Sequence, residues 1–123
     1  MYNEAFKLLQ DGDYAGAERG FKTFIQRHPQ HVLAGNAQYW LGESYYARQK
    51  YREAAEAFLD MSTKHEKSAK APDSLLRLGQ SLAALKEKDA ACATFGELPR
   101  KYPKAPANVK QAAEKEQKRV GCI

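Results

Sequence analysis

Apolar residues recur along this chain at spacings of three and four, and the whole pattern returns after 37 positions. Shifted by that interval, Tyr14 falls on Tyr51, Ala17 on Ala54 and Ala91, and Phe21 on Phe58 and Phe95. Phe24 falls on Met61 and Leu98, Leu41 on Leu78, Gly42 on Gly79, and Leu8 on Tyr45 and Leu82. Spacings of three and four place residues on one side of a helix. A fixed interval of this length marks stacked units, none of which buries its apolar side alone.

The second unit predicts a first helix over residues 35–48 and a second over 51–64, with Arg48-Gln49-Lys50 as the break. In the first unit the break is Asp11-Gly12-Asp13. There Gly12 suits a left-handed helix end, and Asp13 can accept hydrogen bonds from the free N–H groups of the next helix. Pro29, Pro72 and Pro103 are expected in the connections between units, where a proline removes no helical hydrogen bond. Residues 105–120 predict one more helix, with Val109, Ala112, Ala113 and Val120 on one side and Lys110, Gln111, Glu114, Lys115, Lys118 and Arg119 on the other. The expected fold is a single all-α domain: a solenoid of three helix pairs, about 1–32, 33–69 and 70–104, closed by a C-terminal capping helix with a polar outer side.

Small residues recur as regularly as large ones. Gly42 and Gly79 sit mid-helix, where glycine costs about 1 kcal/mol against alanine. Close approach of the first helix to the small side of its own second helix, at Ala17, Ala54 and Ala91, accounts for them. Phe21, Phe58 and Phe95 then fill the space one turn on.

At 43% apolar and 28% charged residues, 123 in all, the composition suits one soluble domain. No apolar run is long enough to span a membrane, so no direct membrane insertion is expected. The first residues already read as helix, so they do not indicate the compartment. The net charge of +5 raises nucleic-acid binding, but acids and bases are interspersed, and a solvated helical face explains the pattern without it. Cys92 and Cys122 lie 30 residues apart, too far for a metal-type pair. In an oxidising compartment they can bridge the last helix to the third unit; in a reducing one Cys92 is a small buried apolar residue.

The motifs Leu41-Gly42-Glu43-Ser44-Tyr45, Tyr51-Arg52-Glu53-Ala54 and Phe58, repeated as Leu78-Gly79-Gln80-Ser81-Leu82, Ala91 and Phe95, resemble the tetratricopeptide repeat. The resemblance covers nearly the whole chain. Two departures stand out. Trp40 lies two residues before Gly42 rather than four, and the period of 37 exceeds the usual one of about 34, which implies longer loops between units. The stretches 37–46 and 70–79 further resemble the C-terminal domains of the Tol-Pal-associated YbgF (CpoB) family. That resemblance implies a periplasmic location, binding of a TolA-like helical segment, a peptidoglycan synthase as a further partner, and coordination of outer-membrane constriction with peptidoglycan synthesis during cell division. It also implies trimerisation through a coiled coil outside this chain.

The family register, carried over through Gly42 and Gly79, puts Asn36, Tyr39, Glu43 and Tyr46 of the second unit in a concave groove. From the third unit it adds Asp73, Leu76, Gln80 and Ala83. Tyr2, Phe6 and Leu9 join them from the first. Tyr39 and Tyr46 are expected to be exposed there, and Trp40, Leu41 and Tyr45 to belong to the core. Such a groove is aromatic and apolar with few charges, and it suits a peptide docked by apolar anchors or as a helix. The alternative is a scaffold that binds copies of itself, with Val120 and Ile123 as a plug.

The residues that carry chemistry elsewhere have structural explanations here. His28 and His65 share a repeat position at helix ends, where a cation is favourable, and His28 with His31 lacks a third metal ligand. There is no nucleophile elbow and no phosphate loop. Asp11 and Asp13 suit turns and caps. No catalytic residue, metal or cofactor is expected, and the chain reads as a binding module rather than an enzyme.

Overall fold

A computed structural model describes residues 1–122; Ile123, half of the proposed plug, lies outside the described residues. Among these residues there are seven helices and no strand. They are α1 (Tyr2–Gln10), α2 (Tyr14–Arg27), α3 (Ala34–Ala47), α4 (Tyr51–Lys64), α5 (Ala71–Ala84), α6 (Lys88–Lys101) and α7 (Ala107–Val120). The starts of α2, α4 and α6, and of α3 and α5, are 37 residues apart. Each helix packs on the next along the chain, and α7 packs on both α6 and α5.

The core repeats with the sequence. Phe21, Phe58 and Phe95 are fully buried, as are Ala17, Ala54 and Ala91, and Phe24, Met61 and Leu98 form the next layer. The glycines do a different job from the expected one. A Cβ on Gly42 would meet the ring of Phe58 at 2.5 Å, and one on Gly79 would overlap the ring of Phe95. The first helix therefore makes room for the large residue of its partner, not for the small one.

The turns inside each pair are built alike. Gly12, Gln49 and Lys86 take left-handed conformations, with φ of 86°, 60° and 66°. Their N–H groups donate to the carbonyls of Leu9, Tyr46 and Ala83, and the following N–H donates to Leu8, Tyr45 and Leu82. This pair of bonds satisfies helix-end carbonyls. Asp13 caps α2 by accepting from Gly16 N–H at 2.9 Å. Pro72 is not in a connection: it is the second residue of α5, where its missing N–H would have had no helical acceptor anyway. The last helix begins at Ala107, after Pro106, two residues later than expected.

Cys92 of α6 and Cys122, just after α7, are joined by a disulfide with Cα atoms 5.6 Å apart. The left-handed Gly121, φ 85°, ends α7 and turns Cys122 back, and the Cys122 N–H donates to Gln117 O at 2.8 Å.

Candidate functional site

The first helices of the pairs, α1, α3 and α5, bring the groove residues together. Asn36, Glu43, Tyr46, Asp73, Leu76, Gln80 and Ala83 are all half-buried. Tyr39 is the exception: it is only 8% exposed, so its expected place at the open surface is corrected. The next helix covers it. Lys70 Nζ lies 5.2 Å from the centres of both the Tyr39 and Trp40 rings, and the lysine reaches Asp73 at 4.0 Å. Trp40, expected in the core, is instead half-buried and meets Phe6 edge to face at 5.0 Å. Leu41 and Tyr45 are buried, as expected.

The groove is also more charged than its register suggested. Arg77 Nε stands 2.7 Å from Glu43 Oε1, pairing α5 with α3. The same guanidinium lies 4.6 Å from the centre of the Tyr46 ring and donates to Gln80 Oε1 at 3.1 Å. One arginine thus orients three candidate residues, and a planar cation stacked on an aromatic ring suits that task.

Burial acts on each of these groups. It raises the Glu43 carboxyl above the ordinary glutamate value, with Arg77 pulling the other way. It opposes the charge of Arg77, but Glu43 outweighs it and the guanidinium is held protonated. It pushes the Tyr39 hydroxyl well up, with Glu43 and Asp73 adding to the effect and Arg77 opposing it.

The capping helix closes one end of the groove. Glu116 and Arg119 of α7, 2.8 Å apart, face Tyr46, Gln80 and Ala83 across a cleft of about 470 Å³. Sequence reasoning missed Arg77, Lys70 and these two residues. For Arg77 a signal existed: it lies four residues after Asp73 and three before Gln80, both assigned to the groove, so helical geometry puts it on the same side.

Among the described residues no cluster of three or more His, Cys, Asp or Glu could hold a metal. His28 and His65 end α2 and α4, and the Nδ1 of His31 accepts from Leu33 N–H at 3.0 Å, so these rings serve helix ends and a turn. The arrangement offers stacking, charge and hydrogen bonding to a polypeptide.

Comparison with known proteins agrees with this architecture. Over 42 residues, 34% of this chain, it is 45% identical to a Pseudomonas putida KT2440 protein named cell division coordinator CpoB, and equally to a second Pseudomonas putida protein of that name. The matched stretch is 16% of the length of those relatives. Tetratricopeptide repeat family models match residues 2–69 and 73–105. With its paired helices, repeated glycine-phenylalanine contacts and these two matches, the chain belongs to the tetratricopeptide repeat family.

Proposed function

We propose that this domain is the docking module of a periplasmic cell-division adaptor. It holds a helical segment of a TolA-like partner in the groove of α1, α3 and α5, and so helps coordinate outer-membrane constriction with peptidoglycan synthesis. The observation that carries the docking reading is the row of half-buried aromatic and polar groups on α3 and α5, preset by Arg77 against Glu43, Tyr46 and Gln80. Groups fixed before binding lose less freedom on binding. A helix laid in a groove uses anchors one turn apart, and Glu43 with Tyr46, like Asp73 with Leu76 and Gln80, supplies contacts at that spacing. Two observations support the cellular setting: the CpoB likeness and the disulfide, a bond that persists in oxidising compartments. No helix among the described residues is long and apolar enough to cross a membrane.

The test is calorimetric titration of the domain with a TolA helical segment. Tyr46→Ala and Arg77→Ala should each weaken binding about tenfold or more, as central aromatic and arginine contacts do, while far-ultraviolet circular dichroism stays unchanged. Leu59→Ala, on the exposed side of α4, should leave binding intact. Equal affinity for all four proteins would remove the groove from the proposal.

A further inference from the structure

Much of the chain's positive charge falls in the segments between helix pairs. The connections that lead from one helix pair to the next, with the adjoining helix ends, are residues 27–33, 64–70 and 100–106. Together they hold seven basic residues and one acid, a net +6 in a chain whose total is +5. The remaining residues, the turns inside the pairs included, are close to neutral.

These connections lie side by side. The Tyr102 hydroxyl donates to Glu66 O at 3.0 Å, and Lys101 Nζ stands 3.5 Å from the Glu66 carboxylate. Two clefts run between them. One, of about 460 Å³, separates His31 and Val32 from residues 63–68. The other, of about 490 Å³, is walled by Pro72, Tyr102, Ala105 and Pro106. Both are bounded by Glu66, Lys67 and Ser68, so they form one furrow along this edge. Lys64, Lys67 and Lys104 line it without a salt-bridge partner among the described residues. Val32, 89% exposed, stands at the same edge.

We infer that this furrow docks an acidic peptide segment whose apolar side chains enter the cleft of Pro72, Tyr102, Ala105 and Pro106 while its carboxylates meet Lys64, Lys67 and Lys104. Three lysines without a salt-bridge partner among the described residues, beside a Glu66 already held by Lys101, raise the local potential and favour an anionic partner. The second cleft selects its class: walls of Pro72, Tyr102, Ala105 and Pro106 accept an apolar side chain projecting from a strand of peptide, whereas a flat layer of headgroups cannot fill it. The edge is distinct from the groove of α1, α3 and α5, so one domain can hold two segments at once.

The test uses the whole domain and a short fluorescein-labelled peptide of glutamates flanking two leucines, followed by fluorescence anisotropy. The expected result is saturable, salt-sensitive binding. It should weaken about tenfold or more when the leucines become serines, and again with Lys67→Glu and Lys104→Glu together. Tyr46→Ala, in the groove, should leave it unchanged, and circular dichroism should be the same for every variant. Equal binding of the serine peptide, wild-type affinity in the charge-reversed variant, or loss of binding in Tyr46→Ala would each overturn the inference. So would tighter capture by phosphatidylglycerol vesicles or by a single-stranded oligonucleotide.

Discussion

Gly42 lies against the ring of Phe58, so close that an added Cβ would stand 2.5 Å from ring carbon Cε1. The same relationship joins Gly79 to Phe95. Both rings are fully buried, so neither has room to withdraw. Gly42→Ala should therefore destabilise the domain by about 1–3 kcal/mol, overpacking outweighing the better helix propensity of alanine. Phe58→Ala should cost about 3–5 kcal/mol through the cavity it leaves. Urea unfolding of Gly42→Ala, Phe58→Leu and the double variant tests the coupling: the double variant should lose less than the two singles together.

The left-handed turn residues give a prediction of opposite sign. Gln49 and Lys86 hold φ of 60° and 66° at the position where the first pair has Gly12. A side chain there is strained by about 1 kcal/mol, and glycine relieves it. Both N–H bonds are made by the backbone and survive the change. Gln49→Gly and Lys86→Gly should each stabilise the fold by up to about 1 kcal/mol, read as a higher urea midpoint with an unchanged slope.

Ser74 is buried without a hydrogen-bond partner for its hydroxyl. The buried hydroxyls of Ser44 and Ser81 instead donate to the carbonyls of Trp40 and Arg77 at 2.8 Å. One period earlier, Ser74's position is held by Ala37, also fully buried. Ser74→Ala should therefore stabilise the domain by about 1 kcal/mol, since an unpaired buried hydroxyl costs that much or more. Ser81→Ala should be near neutral or mildly destabilising. Thermal unfolding of the two variants side by side distinguishes them.

Glu43 makes stability depend on pH in an unusual direction for a carboxylate facing an arginine. Burial raises its folded value, and Arg77 only partly offsets this. The folded chain thus holds the Glu43 proton more tightly than the unfolded chain. The stabilisation from this group is fully present below the unfolded glutamate value of about 4.3 and is lost as pH rises through the folded one. Glu43→Gln should accordingly gain on the wild type in unfolding free energy as pH rises from about 4 to neutrality. If Glu43→Gln instead loses ground to the wild type over that range, Arg77, not burial, governs the carboxylate.

The helix pairs were legible because the repeat records burial: Phe21, Phe58 and Phe95 share a register only if each faces the same core. The half-burial of seven of the eight candidate residues was legible for the same reason. Tyr39 was not, because a helical register gives direction but not depth, and its cover, Lys70 and Arg77, comes from the next unit. Arg77 itself shares a register with Trp40, which had been assigned to the core, so its charge went uncounted. The basic edge was hidden for another reason: its basic residues sit in three short stretches far apart in sequence and converge only when the connections stack.

The disulfide decides how firmly the groove's end wall is held. α7 buries little of its own, Val109 and Ala113 being its buried residues, yet it supplies Glu116 and Arg119 opposite Tyr46. Closing a loop of 30 residues restricts the unfolded chain enough to contribute about 3–4 kcal/mol in the loop-entropy account. That is comparable with what two small apolar side chains supply. Reduction, or Cys92→Ser with Cys122→Ser, should therefore lower the unfolding free energy by up to about that amount. It should also make α7 the first segment cut by trypsin, at Lys115, Lys118 or Arg119, while α1 to α6 stay protected. Any partner that touches the α7 wall should bind the reduced domain more weakly. If trypsin resistance and melting temperature are the same with and without reductant, α7 is held by packing alone and the bridge is incidental to the groove.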